Sequence, residues 1–141
     1  MGRIMAIDFG QKRCGIAVTD PMQMIANGLK TIRSHEAFDF IKMYLTQEEV
    51  TTIVIGEPRD LQNKPSDATK FIEPFVNRLR KAYPDLDIRR YDERFTSSMA
   101  FQTMIDAGLS KKKRQDKAMV DTISATLILQ SFMGALEQKK R

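Results

Sequence analysis

Residues 3–10 read RIMAIDFG and residues 15–19 read GIAVT, and these two short apolar runs decide the architecture of the chain. The first run ends at a glycine, and only a turn-sized gap separates it from the second, which is typical of two strands joined as a hairpin. Residues 25–32 form a third predicted strand. Because the connections are too short to hold a crossover helix, we expect these three strands to be antiparallel.

The periodicity then changes to that of a helix followed by a buried strand. Between residues 34 and 49, Phe38, Ile41 and Leu45 fall on one helical face, and Ser34 is positioned as an N-cap. Residues 51–56, TTIVIG, are β-branched and almost continuously apolar, as in a strand covered on both faces. A strand, a helix and a strand in this order predict a crossover connection and a parallel pair.

The next predicted helix contains a proline. Residues 57–65 have the composition of a loop, and Ser66 can cap a helix with apolar residues at helical spacing through Tyr83. Pro74 lies inside this pattern. Because proline lacks an amide donor and clashes with the preceding turn, we expect either a kink or a helix that effectively starts near Glu73.

Three more elements complete the order. Residues 86–91 form the fifth predicted strand, a helix capped by Thr96 and Ser97 extends to residue 107, and a long helix covers residues 118 to about 138. Neither an internal repeat nor a linker divides the sequence. The order β-β-β-α-β-α-β-α-α predicts one α/β domain over residues 1–141, with a mixed five-stranded sheet flanked by helices.

Composition and charge narrow the class of protein. A chain of 141 residues buries about 70% of its unfolded surface, and 42% hydrophobic with 29% charged residues is ordinary for a globular domain rather than a disordered one. The net charge of +5 and pI near 9.4 fit an anionic partner such as nucleic acid. The lone Cys14 excludes an intrachain disulfide and favours a reducing compartment, and its apolar neighbours predict a small core residue rather than a nucleophile.

The start of the chain does not resemble a targeting segment. The sequence enters its first strand directly, without the charged start and apolar stretch of a signal peptide. We expect no apolar run to approach the roughly 20 residues that span a bilayer. We therefore expect a cytoplasmic protein with no membrane partner.

Three carboxylates are candidates for chemistry because of where they lie. Asp8 is at the end of the first strand and Glu93 lies just beyond the fifth, and strand ends are where ligands gather in α/β sheets. Asp121 shares a helical face with small and apolar residues suited to packing on the sheet. A carboxylate there is costly unless a cation or a donor compensates it. Taken singly, a strand-end Asp is also a common turn former, and an Asp near a helix start a common dipole partner.

Carboxylates that converge without His or Cys suit hard, oxygen-preferring ions, chiefly Mg²⁺ or Mn²⁺. Two such ions about 4 Å apart activate a water and stabilise the leaving oxygen of a phosphodiester. The sequence therefore permits metal-dependent phosphodiester hydrolysis.

A basic segment precedes the helix that carries Asp121. It consists of Lys111, Lys112, Lys113, Arg114 and Lys117. Binding of a phosphate backbone there would bring nucleic acid to the proposed metal site. A solvated loop is the alternative explanation for such a run.

Three segments closely resemble the YqgF/RuvX family and occur in the family's order. They are DFGQKRCG at residues 8–15, DERFTS at residues 92–97 and KAMVDTISA at residues 117–125. Members of the family are described as Holliday junction resolvases and as nucleases that process the 5′ end of precursor 16S rRNA. The resemblance implies a ribonuclease H-like fold and makes Asp8, Glu93 and Asp121 the acidic active-site residues.

The resemblance also extends to neighbouring positions. Lys12 matches the first motif and Arg94 the second, and we expect both to contact nucleic acid, either structured RNA or branched DNA. One departure is the sequence Gly56-Glu57-Pro58, where the family commonly has Gly-Leu-Pro. This departure concerns the loop on the substrate side, not the carboxylates.

Two other functions compete with a nuclease. The spacing Asp8-x-Gly10 followed by Gly15 also resembles the phosphate loop of ATP-dependent phosphotransferases of the actin and hexokinase type, although those folds need two such domains. A noncatalytic nucleic-acid-binding or ribosome-assembly module is the second alternative. For a nuclease, the sequence does not decide whether the substrate is pre-rRNA or junction DNA. It also does not decide whether the protein is a monomer or a homodimer.

Overall fold

The fold is described by a computed structural model in which residues 2–57, 69–92 and 117–139 are placed. The strands are β1 Arg3–Phe9, β2 Arg13–Thr19, β3 Ala26–Arg33, β4 Val50–Glu57 and β5 Asp87–Asp92. The helices are a 3-10 helix at Ser34–Glu36, α1 Ala37–Gln47, α2 Thr69–Ala82 and α3 Lys117–Lys139. Each predicted element within these ranges is present, and its ends differ from the prediction by a few residues at most, apart from the start of α2.

The five strands form one mixed sheet in the order β3-β2-β1-β4-β5. The β1–β2 and β2–β3 pairs are antiparallel, as the short connections predicted. The β1–β4 and β4–β5 pairs are parallel, and β4 pairs with β1 rather than with β3, the strand that precedes it in sequence. In this register Asp8 pairs with Gly15, and Glu57 pairs with Asp92. Glu57 was expected in a loop, but the described chain shows it as the last residue of β4.

A hydrophobic core covers each face of the sheet. The face under α1 and α2 buries alternate residues such as Met5, Ile7 and Ile55. The opposite face buries Ile4, Ala6, Ala17 and Val54 against α3. Because successive side chains of a strand point to opposite faces, burial on both sides explains why β1 and β4 read as nearly continuous apolar runs.

The prediction that Ser34 caps α1 was wrong. The helix begins at Ala37 after the short 3-10 helix, and no side chain caps it. The Ser34 hydroxyl instead donates to the Gly10 carbonyl at 2.6 Å, and its amide donates to the Lys12 carbonyl at 2.9 Å. These two bonds satisfy carbonyls of the β1–β2 turn and fix that turn against the end of β3.

Of the two alternatives expected for Pro74, a helix that effectively starts near Glu73 was wrong, because α2 includes Thr69 and encloses Pro74. A kink at Pro74 stays a prediction. An interior proline costs about 3 kcal/mol. Its apolar face offsets this cost, since Ile72, Val76 and Leu79 are all fully buried. The predicted loop beyond Glu57 as far as residue 65, the helix capped by Thr96 and Ser97, and the basic residues 111–114 lie outside the described residues.

Helix α3 is the exception to the expectation about long apolar runs. By length and composition alone, its segment Ala118–Leu136 would suffice to cross a membrane, so that expectation was wrong. In this fold the apolar residues of α3 pack on the sheet. Ala125, Ile128, Leu129 and Phe132 are buried against the sheet, as in the core helix of a folded domain.

Candidate active site

Two glycines, one on β2 and one on β3, allow α3 to cross this strand pair so closely that helix and strand backbones are in contact. A Cβ at Gly15 would lie 2.0 Å from the carbonyl oxygen of Asp121, far inside any real contact distance. A Cβ at Gly28 would lie 2.6 Å from Cγ2 of Thr122. The absence of side chains on β2 and β3 at these positions therefore sets how deeply the helix sits on the sheet.

A threonine cluster fixes the rotation of α3 about its axis. The Thr31 hydroxyl donates to the carbonyl oxygen of Ala118 at 2.7 Å, and its oxygen lies 2.7 Å from the hydroxyl oxygen of Thr122. Thr31 pairs with Gly15 in the sheet, so the cluster lies directly beside the closest approach of the helix. Sequence reasoning assigned no role to Thr31 or Thr122.

Asp8 lies on the sheet face that α3 covers. It alternates with Ile4 and Ala6, both of which pack on that face, and its paired residue is Gly15. Since the backbone of Asp121 rests on Gly15, the two candidate carboxylates come to the same place on the sheet. This proximity of the two backbones follows from one strand pairing and one close contact, whereas the predicted meeting of Asp8 with Glu93 involves a residue outside the described ranges.

Cys14 is buried beside the candidate site, on the opposite face of the sheet from Asp8 and Asp121. Burial raises the pKa of its thiol from 9.0 to about 12, and the negative charges of Asp8 and Asp121 both add to the rise. One side chain is therefore within the electrostatic reach of both acids. Cys14 is fully buried in the core beneath α1 and α2, and its raised pKa makes it a poor nucleophile. The prediction of a core cysteine is confirmed.

Arg13 is a site residue that sequence reasoning missed. Its Nε donates to Oδ2 of Asp121 at 2.7 Å, with the arginine side chain 37% exposed and the aspartate 20% exposed. The donor that a carboxylate on a packing face requires is therefore an arginine on β2. The available signal was strand alternation, because Arg13 lies two residues before Gly15 and points to the same face.

Of the remaining predicted site residues, the structure describes the positions of only Lys12 and Lys117. Lys12 lies exposed in the β1–β2 turn, and Lys117 is the first residue of α3. Glu93, Arg94, Lys111, Lys112, Lys113 and Arg114 lie outside the described residues. Of the three candidate carboxylates, Asp8 and Asp121 are therefore the two whose positions are described. Among the described residues, no three His, Cys, Asp or Glu side chains form a metal-binding group.

The class of the protein follows from structures that share its fold. T. thermophilus RuvC, solved in complex with a Holliday junction substrate, superposes with a TM-score of 0.53 at 13% identity, covering 95% of this chain and 97% of RuvC. The fowlpox virus Holliday junction resolvase gives 0.53 at 13% identity, covering 94% of this chain and 99% of its own. The fold is ribonuclease H-like, as the sequence predicted.

The family follows from the sequence. The model of the family described as RuvX, Holliday junction resolvase, matches residues 2–135, and the chain belongs to this family. A Flavobacterium psychrophilum relative is 56% identical over 133 residues, covering 94% of this chain and 97% of its own. A Phocaeicola vulgatus relative is 54% identical over 140 residues, with 99% of each chain covered. Both relatives bear the name pre-16S rRNA nuclease. The chain is accordingly a nuclease, a hydrolase that acts on nucleic acid.

Proposed function

We propose that this chain is a metal-dependent endonuclease that trims the 5′ end of precursor 16S rRNA, with Asp8, Glu93 and Asp121 as its catalytic, metal-binding carboxylates. The observation that carries the proposal is the position of Asp8 beside Gly15, on which the Asp121 backbone rests. Two acids from distant parts of the sequence thus have their backbones beside the same glycine, on the sheet face that α3 covers. The names of relatives more than 50% identical support rRNA as the substrate.

The sheet topology supports Glu93 as the third carboxylate. Strands β1, β4 and β5 run parallel, so their carboxyl ends share one edge of the sheet. Asp8 lies near the end of β1 and Asp92 ends β5, two strand spacings or about 10 Å away. Glu93 is the next residue in the sequence. A carboxylate reaching from that point toward β1 would complete the set.

The donor set fits a hard divalent cation. Asp8 and Asp121 offer carboxylate oxygens, which are the ligands that Mg²⁺ and Mn²⁺ prefer, and neither zinc-type sulfur nor imidazole accompanies them. Ions held between these acids would polarise the scissile phosphate and lower the pKa of a bound water, in the two-ion arrangement of phosphodiester-cleaving enzymes.

The chain itself supplies rigidity and charge balance. Asp8 is carried by β1, the central strand of the sheet, and Asp121 by a helix that is locked onto Gly15 and Thr31. Arg13 balances the charge of Asp121. Because the fold holds the backbone of both acids, ion binding would require movement chiefly of the Arg13 side chain, which occupies Oδ2 of Asp121.

A cleavage panel tests this function. Wild-type protein with Mn²⁺ is expected to cleave a precursor 16S rRNA fragment, and Asp8→Asn to lose at least a hundredfold in rate while still binding it. Asp20→Asn is the matched control, because Asp20 lies beyond β2 at the opposite sheet edge, where it accepts bonds from the Met24 and Ile25 amides. Binding by wild type without cleavage of any phosphodiester substrate would instead support a noncatalytic module.

The family description favours a second candidate, resolution of four-way DNA junctions. Junction DNA therefore belongs in the same panel, since preferential cleavage of it would replace rRNA as the substrate. Symmetric cleavage of a junction requires two active sites, so light scattering of the complex should then give a homodimer rather than a monomer.

Family membership favours either nuclease over an ATP-dependent phosphotransferase. The lone buried thiol of Cys14 supports a cytoplasmic location.

A further inference from the structure

An open groove lies where the β1–β2 turn meets the end of β3 and the 3-10 helix. Its volume is about 830 Å³. Lys12, Arg13, Lys30 and Arg33 contribute four cations to its lining, against one carboxylate, Glu36, and one of these cations, Arg13, is also paired with Asp121. Glu36 itself lies 3.9 Å from the ring of His35. The groove therefore concentrates positive charge in a protein whose overall excess is +5.

We propose that this groove binds the phosphodiester backbone of the substrate strand and leads it to Asp8 and Asp121. The inference rests on the proposed nuclease function but names a surface that the three carboxylates and the basic run at residues 111–114 do not include. A cluster of cations on a rigid surface attracts a polyanion, and binding releases the counterions that the polyanion carries.

The groove is continuous with the candidate active site. Arg13 lines it and also donates to Asp121, and Ala118 on its wall lies one helical turn before Asp121 on α3. A strand lying in the groove would thus reach the carboxylates from the β3 edge of the sheet. This continuity favours a nucleic-acid backbone over an acidic peptide as the occupant.

The cations are held by the fold rather than on loose chain. The turn that carries Lys12 is fixed by the bonds from Ser34 to Gly10 and Lys12. The Lys30 ammonium lies over the Phe40 ring of α1, 5.4 Å from the ring centre, in a cation–π contact that holds it in place. Such preorganisation lowers the entropy that is lost on binding.

Lys30 and Arg33 flank the groove from the two faces of the sheet. Both lie on β3, the edge strand, three residues apart, and strand side chains an odd number of residues apart point to opposite faces. Lys30 contacts the Phe40 ring of α1 on one face, and Arg33 pairs in register with Arg13 on the other. A strand of nucleic acid that crosses this edge would therefore meet a cation on each side.

The test measures binding in an Asp8→Asn background, so that cleavage plays no part. Lys30→Gln with Arg33→Gln should weaken binding to a precursor 16S rRNA fragment and to duplex DNA about tenfold. The slope of log affinity against log salt should become shallower by about 1.5 to 2 for two lost phosphate contacts. Lys42→Gln with Lys81→Gln is the matched control, because these exposed lysines lie on α1 and α2 outside the groove.

Each outcome decides the matter. A shallower slope in the groove variant alone supports the proposal, and far-ultraviolet circular dichroism checks that this variant is folded. An unchanged slope, or an equal loss in the control variant, overturns it. Intact groove-dependent binding by a wild type that cleaves nothing would overturn the nuclease proposal and leave the groove in place.

Discussion

Arg13 and Asp121 form an ion pair across 108 residues of sequence, with Nε of the arginine 2.7 Å from Oδ2 of the aspartate. The pair joins the first residue of β2 to the first turns of α3. The arginine therefore pairs with the Asp121 carboxylate even when no metal ion is bound. Arg13 and a divalent cation would therefore compete for the same oxygen atom.

Arg13→Gln should strengthen binding of Mn²⁺ to the substrate-free protein. Removing a guanidinium that competes for Asp121 and repels the cation lowers the Kd roughly fivefold, for a partly solvated interaction worth about 1 kcal/mol. Electron paramagnetic resonance of free Mn²⁺ gives the Kd directly. Lys12→Gln removes the same charge from the neighbouring turn and is the control. An equal Kd in Arg13→Gln and wild type would contradict this competition.

Gly15→Ala should destabilise the protein by about 3 kcal/mol, because the new methyl group would overlap the Asp121 carbonyl oxygen and force α3 off the sheet. Gly134→Ala provides the contrast. Its Cβ meets nothing within 4 Å, and the exchange should stabilise α3 by about 1 kcal/mol through helix propensity. Urea unfolding of both variants measures these changes. A harmless Gly15→Ala would show that α3 does not approach the hairpin so closely.

Cys14 should resist alkylation in the folded protein. A pKa raised from 9.0 to about 12 leaves about a thousandfold less thiolate at pH 8, and burial excludes the reagent as well. Because Cys14 is the sole cysteine, iodoacetamide incorporation followed by mass spectrometry reports on it alone. Rapid labelling in 8 M urea is the positive control, and equally rapid labelling without urea would refute the burial.

The same shift predicts a loss of stability at alkaline pH. The folded protein holds the thiol proton more tightly than the unfolded chain, so this contribution is full below pH 9 and decreases as pH rises toward 12. Cys14→Ala should remove this part of the decline. The measurement is the difference in free energy of unfolding between wild type and variant at pH 8 and pH 10.5. A difference that stays constant with pH would argue against the raised pKa.

Tyr91 and Ser131 should be energetically coupled. Their hydroxyl groups share a hydrogen bond that ties β5, the strand ending at Asp92, to α3. Tyr91→Phe and Ser131→Ala should each cost about 1 kcal/mol, and the double variant should cost little more than either single one. Thermal unfolding of the four proteins completes the cycle. Simple additivity would show that the bond contributes nothing to the docking of α3.

The local sequence determined the elements and the positions of the candidate acids. Alternating and β-branched runs predicted all five strands, and connection lengths predicted which pairs are antiparallel, because both depend on residues close together in the chain. Asp121 was informative for the same reason. A charge on an apolar helical face is visible in the sequence and demands a partner.

The identity of that partner was decided by the tertiary structure. Arg13 meets Asp121 only because α3 sits on Gly15 and Gly28, and Ser34 serves the β1–β2 turn instead of capping α1 because β3 ends beside that turn. The cationic groove likewise exists only once the turn, β3 and the 3-10 helix come together. Periodicity fixes which face a side chain occupies, whereas the distance between residues far apart in sequence is set by how the helix packs on the sheet.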